Sequence, residues 1–233
     1  MNNWTTYLLP IGAAFISLIV GLYNILYYAR KSKWQREIFE TYINTSKELD
    51  LLNMKMGELN DYEPFLMTLD NLLYKIKHMF DGFTGSDCRI SISTIVEEDG
   101  LPIVHTLASI GGGQFIKREQ FRVPVYEDIS YRTILKSDGR AFVSNNLDKE
   151  YGWYSPEMTA GVRWKPDFLS IMSVPISKKT KKGEHIIGVL TIESTKKNAF
   201  DKSLHVKMVS SLALKLYSFI ENSIEKRNKK HPS

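Results

Sequence analysis

A single cysteine, Cys88, in 233 residues excludes an intramolecular disulfide, a CxxC redox pair and a cysteine-rich zinc site. One unpaired thiol accords with a reducing compartment. The histidines His78, His105, His185, His205 and His231 show no paired metal spacing, so no metal is expected and they read as surface or interface residues. No Gly-x-Ser-x-Gly elbow and no kinase motif set occurs. Gly111-Gly-Gly113 lacks the Lys-Ser/Thr of a phosphate-binding loop and reads as a turn. Without a catalytic set, the chain is not expected to be an enzyme. Charge is missing too: Met1 to Ala29 contain no Asp, Glu, Lys or Arg.

That uncharged stretch is long enough to cross a bilayer. Leu8 to Tyr28 give about 21 residues, which at 1.5 Å each match a hydrocarbon core of roughly 30 Å. Trp4 and Tyr7 mark one interface, and Tyr23, Tyr27, Tyr28 and Trp34 the other. A cleaved signal peptide would want a basic start, a shorter apolar core and small residues at its end, none of which is present. Arg30, Lys31, Lys33 and Arg36 follow directly, so residues 1–30 are expected to span the cell membrane once. The positive-inside rule puts the N-terminus outside and the rest in the cytoplasm. Further basic clusters lie at Lys178, Lys179, Lys181 and Lys182 and at the 227–233 tail, within a net charge of +5. An anionic membrane surface is a simpler partner for them than nucleic acid.

Residues 31–63 read as a helical linker. Ile38, Tyr42, Thr45, Leu49, Leu52, Met56 and Leu59 alternate four and three apart, the period of a left-handed coiled-coil seam. Counted backwards, the same phase reaches Gly21 and Ser17, part of a small-residue ladder with Ala13. A homodimer paired along this stripe through one continuous helix is the expectation; the alternative is an amphipathic helix lying on its own domain. Pro64 is expected to end or kink the helix.

From residue 64 to 226 the pattern is that of one domain. Phe65 to Phe80 and Lys202 to Lys226 have helical apolar spacing. Arg89 to Val96, Pro102 to Ile110, Ala141 to Ser144, Leu169 to Ile176 and Ile186 to Glu193 read as strands, with a hairpin turn at Glu98-Asp-Gly100. Ile129 to Lys136 reads as a short helix closed by Asp138-Gly139. The expected class is α+β, an antiparallel sheet with helices on one face.

Phe168-Leu-Ser-Ile-Met-Ser-Val-Pro-Ile176, Ile187-Gly-Val-Leu-Thr-Ile-Glu-Ser194, Ala199-Phe200 and a long helix ending Phe219-Ile-Glu-Asn222 together resemble the GAF sensory domain family. Ile134 to Val143 resembles that family's helix and following strand. The resemblance covers roughly residues 65 to 225 and implies a GAF-like fold whose ligand pocket lies over the sheet, opposite the terminal helices. Family members bind cyclic nucleotides, tetrapyrroles, haem or small metabolites, or no known ligand. The cysteines that some relatives use are not matched by Cys88, and Asn198-Ala-Phe-Asp-Lys202 is too loose a match to carry over a cyclic-nucleotide set.

Under that resemblance, residues 145–167 would roof the pocket. Tyr151, Trp153, Tyr154 and Trp164 offer stacking surfaces and Arg163 and Lys165 cations, a set suited to a planar anion such as a nucleotide. Ser173 and Asn145 are expected to add polar contacts. The competing reading makes the aromatics ordinary lid core over an empty pocket. The function expected is a membrane-anchored sensor or regulatory subunit that binds a small, nucleotide-like molecule and signals through a dimeric helix or a separate protein partner. Two other classes fit: a nucleotide-activated effector that clusters its spans and disturbs the bilayer, and a ligand-free scaffold.

Overall fold

The computed structural model describes residues 33–54, 62–111, 122–126, 128–137, 139–150, 168–181 and 183–230. The chain divides into two units, Met1–Thr41 and Tyr42–Ser233. In the first, residues 33–41 are helical and Ile38 is buried. The expected span at residues 1–30, with Ser17 and Gly21, lies outside the described residues. Among the described residues no helix is long and apolar enough to cross a membrane.

The second unit is α+β. Residues 42–54 form α1, followed by α2 (Tyr62–Thr84), β1 (Cys88–Glu98), β2 (Leu101–Ile110), β3 (Arg122–Pro124), α3 (Ile129–Lys136), β4 (Phe142–Ser144), α4 (Leu147–Glu150), β5 (Ser170–Thr180), β6 (Gly183–Ser194) and α5 (Leu204–Lys230). Pro64 falls in the first turn of α2, where its missing N–H costs no helical bond. At the other end of α2, Gly85 turns left-handed at φ 62° and its N–H reaches the Asp81 carbonyl at 2.9 Å. The Asp99-Gly100 turn has positive φ at both residues, 52° and 76°, the hairpin geometry expected from its sequence.

Six strands run antiparallel in the order β3-β2-β1-β6-β5-β4. Strict alternation gives the sheet two different faces. Cys88, Ile90, Ile92, Leu190, Ile192, Met172 and Val174 point to the side of α2 and α5 and are buried. There Phe65 of α2 stacks on Phe219 of α5, with centroids 4.7 Å apart. The helices are not confined to that side. Tyr131 and Ile134 of α3 pack with Val104, Val125 and Val189 on the opposite face, a correction to the one-sided layering expected from sequence. Asp128 caps α3 by accepting from the Tyr131 N–H at 3.0 Å.

Helix α1 bears directly on the expected dimer stripe. Thr45 and Leu49 are buried at 1% and 0% exposure within this one chain. Lys215 of α5 reaches the Ser46 carbonyl at 3.2 Å and the Asp50 carboxylate at 2.6 Å, while Asn53 donates to the Lys215 carbonyl at 3.0 Å. Glu48 pairs with Lys75 of α2. The Thr45–Leu49 stretch of the seam therefore lies on its own domain, held by α2 and α5. Leu52 is half-buried, and Met56 lies outside the described residues.

The start of α5 contains a pH-sensitive cap. The Asp201 carboxylate accepts from the N–H groups of Ser203 (2.8 Å) and Leu204 (2.6 Å), and His205 Nδ1 accepts from the Asp201 N–H at 3.1 Å. The imidazole sits against Phe80, Phe83 and Phe200. Burial pushes its pKa below the ordinary 6.5, against the opposing pull of the Asp201 charge. A group depressed in the folded state contributes stability that is present above its unfolded pKa and lost as pH falls through the folded one. Stability is therefore expected to decline as pH drops below about 6.5, and to decline again below the ordinary 3.8 of Asp201, whose pKa the two amide donors hold down. Urea titrations from pH 7.5 to 5 should show the midpoint falling in the native chain. His205→Leu should flatten that slope; an unaltered slope would place the titrating group elsewhere.

Candidate functional site

The face of the sheet turned away from α2 and α5 is paved with small hydroxyl side chains. Cross-strand register puts Ser109 of β2, Ser91 of β1, Thr191 of β6 and Ser173 of β5 in one row. Ser93 and Thr106 stand side by side in the next. Ser173 Oγ and Thr191 Oγ1 are 3.1 Å apart, and Ser93 Oγ and Thr106 Oγ1 are 3.3 Å apart. Hydroxyl meets hydroxyl in each pair, which supplies donors and acceptors without supplying a base. A strand surface built this way can donate to and accept from polar groups.

Each end of this belt has its own chemistry. One end is apolar and closed by α3, whose Tyr131 hydroxyl donates to the Ser93 carbonyl at 2.7 Å. Burial drives the pKa of that phenol well above its usual value, so it is a donor at any physiological pH. Directly beneath, β6 approaches β1 so closely at Gly188 that a Cβ there would lie 2.4 Å from the Ser93 carbonyl oxygen. The other end is charged. The row Arg89–Glu193–Ile171–Ser144 crosses β1, β6, β5 and β4. Arg89 and Glu193 form an ion pair whose side chains are only 23% and 13% exposed, and the guanidinium lies 4.6 Å above the centre of the Phe168 ring.

Among the described residues, two buried polar atoms on and just after β4 have no partner: Ser144 Oγ, in a residue 1% exposed, and Asn146 Oδ1. A buried polar atom left unpaired costs about 1–3 kcal/mol, so a bound group that satisfied both would gain most of that back. Asn146 Oδ1 can only accept; Ser144 can accept or donate.

Of the residues expected from sequence to contact ligand, Ser173 stands in the hydroxyl row, fully buried. Asn145 does something else. Its Nδ2 donates to the Phe200 carbonyl at 2.8 Å and its Oδ1 accepts from the Phe200 N–H at 3.0 Å, so the amide pins the chain before α5. Tyr151, Trp153, Tyr154, Arg163 and Trp164 lie outside the described residues, as does Lys165. The sequence reading missed Arg89, Glu193, Ser144, Asn146 and most of the belt. Its signal was present: Ser91 and Ser93, which alternate with Ile90 and Ile92, are serines and not the charged residues that a solvated face usually carries. Cys88 belongs to the opposite face, beneath Thr84, and burial raises its pKa to about 11. Among the described residues no group of His, Cys, Asp and Glu could hold a metal ion.

Solved structures share this architecture at low sequence identity. The chain is similar to free methionine-R-sulfoxide reductase from Neisseria meningitidis in complex with its substrate, at 17% identity and TM-score 0.50 over 76% of this chain and 88% of that one. It is similar to the GAF domain of Acinetobacter phosphoenolpyruvate-protein phosphotransferase, at 14% identity and TM-score 0.50 over 78% and 94%. The chromophore-binding domain of a bacteriophytochrome from R. palustris is matched at 12% identity and TM-score 0.52, over 83% of this chain and 63% of that one. The fold is GAF-like. No family model matches the chain, and no curated protein matches its sequence.

Proposed function

We propose that the chain is a sensor that holds a small polar molecule over the hydroxyl belt. The observation that carries this reading is the buried Ser144 Oγ, unpartnered among the described residues, at the end of a face otherwise lined with hydroxyls; Asn146 Oδ1, two residues on, is likewise without a partner among them. The Arg89–Glu193 pair beside them supplies both charge signs for a ligand that carries its own. The composition of the roof segment, with Trp153, Trp164 and Arg163, favours a planar anion of nucleotide type. Two proteins of similar fold are described as holding small molecules, one as a complex with its substrate and one as a chromophore-binding domain. The uncharged residues 1–29 and the basic cluster behind them support tethering to the cytoplasmic side of the cell membrane.

Thermal unfolding of the full chain with nucleotides, nucleosides and haem-type compounds tests the site. A ligand at 100 times its Kd adds about 2.7 kcal/mol, which in a domain of this size raises Tm by roughly 5–10 °C. Ser144→Ala removes an unsatisfied hydroxyl, so without ligand it is expected to leave stability unchanged or higher by about 1 kcal/mol. With ligand it should lose most of the shift. If Ser144→Ala weakens the free protein, the hydroxyl already has a partner and the site loses its main support.

A further inference from the structure

Beyond the Phe142–Ser173 pair, β4 parts from β5, and the paired register on that side of β5 ends while β5 itself runs on to Thr180. A groove of about 820 Å³ opens in the gap at the edge of β5, meeting Val143 and Val174 on the α2/α5 side of the sheet and Pro175, Ser177 and Lys179 on the other. Its walls are apolar: Val143, Val174 and Pro175 from the strands, Val206 and Leu214 from α5. Leu214 is 60% exposed, unusual for a leucine on a helix whose other apolar residues are mostly buried. The groove also carries a net positive charge. Arg140, Lys179 and Lys202 line it, all exposed and none in an ion pair among the described residues. The single acid, Glu184, is engaged by the Ser177 hydroxyl.

We propose that this groove docks an extended acidic segment of a partner protein, with apolar side chains against Val206 and Leu214 and carboxylates on Arg140, Lys179 and Lys202. Two splayed strand segments leave backbone groups that an extended chain can meet and a helix cannot. Pro175 carries no backbone N–H, so it offers no donor to a pairing strand, and nonspecific strand pairing is discouraged. Selection then falls to the anchors and the charges: basic strands are repelled and acidic ones drawn in. The inference is independent of what the hydroxyl belt binds.

The probe is a fluorescein-labelled octapeptide of alternating leucine and glutamate, titrated by anisotropy with the full chain in detergent. Saturable binding is expected. K179E/K202E should weaken it by about 10-fold or more, and Leu214→Asp by about 5-fold or more through loss of the anchor. Both changes are at exposed positions, and unchanged circular dichroism would show that the fold survives. A peptide of equal charge with glutamine in place of leucine should bind at least about 10-fold more weakly. Lys207→Glu, on the same helix but outside the groove, should leave affinity within about twofold. No saturable binding overturns the proposal. So does equal binding of the glutamine peptide, or an equal loss in Lys207→Glu, because either would reduce the interaction to bulk charge.

Discussion

Phe219→Ala is expected to lower the stability of the Tyr42–Ser233 unit by about 3–5 kcal/mol, one of the two largest losses argued from this structure. Phe219 is fully buried and its ring lies 4.7 Å from that of Phe65 at 26°, the stacked contact through which α5 meets α2. Leu69, Leu72 and Leu216, all essentially inaccessible, belong to the same helix-side core. The cavity left by a missing ring cannot readily close, because α5 is held elsewhere along its length by Lys215 on Asp50 and by the Asp201 cap. Stacking adds about 0.5–1.5 kcal/mol beyond area, so Phe219→Leu should recover only part of the loss. Urea denaturation reads the difference directly, and Tm should fall by roughly 6–20 °C. A loss under 1 kcal/mol would mean that the two helices are not packed through this pair. Ser218→Ala, exposed on the same helix, is the control and should stay within about 0.5 kcal/mol.

Asn145→Ala should cost about 2–5 kcal/mol in the absence of any ligand. The side chain satisfies both the N–H and the carbonyl of Phe200, and its removal strands both. The Asn145 carbonyl, which the substitution keeps, accepts from Asn198 N–H at 2.9 Å and Ser170 Oγ at 3.2 Å, so the damage should stay local to the segment entering α5. Phe200 is 3% exposed and packs edge-on against Phe80, which ties this clamp to the helix-side core. Asn145→Asp restores the acceptor but sets a carboxylate oxygen against the Phe200 carbonyl, so it should recover little of the loss. Melting of the free protein distinguishes the two roles given to Asn145. A residue that served ligand alone would leave the unliganded Tm where it was.

Asn145 also shows what was and was not legible in the sequence. The expectation from sequence is a polar contact to ligand; the contact seen is to the Phe200 backbone. Only the register of β4 and the return of the chain at Phe200 decide that the partner is backbone. The strands were readable because Ile90, Ile92, Leu190 and Ile192 alternate with polar residues, and Asp99-Gly100 announced its own turn. β3 escaped because three residues carry no period, and α4 because four residues make barely one turn. The β5–β6 hairpin proved longer than its apolar core, since the lysines at 178 and 179 continue the ladder to Thr180 and Gly183. The heptad stripe through Thr45 and Leu49 identified a buried helix face correctly, but periodicity cannot say whose surface buries it. The charged end of the candidate site was invisible for a related reason. Arg89 and Glu193 are about 100 residues apart and meet only because β1 and β6 are neighbours.

That neighbour relation sets the order in which the protein can be made. Residues 88–94 pair with residues 188–194 at the centre of the sheet, whereas β1 with β2 and β5 with β6 are local hairpins. During synthesis the first hairpin is complete long before its central partner exists. At 5–20 residues per second the interval is roughly 5–20 s. Through that time β1 has an open edge whose Cys88, Ile90 and Ile92 side has no second half to close against. Refolding of the intact chain should accordingly be limited by the joining of two preformed halves, as expected where non-local pairing dominates. In the cell, the same interval is when the nascent chain has most need of a chaperone.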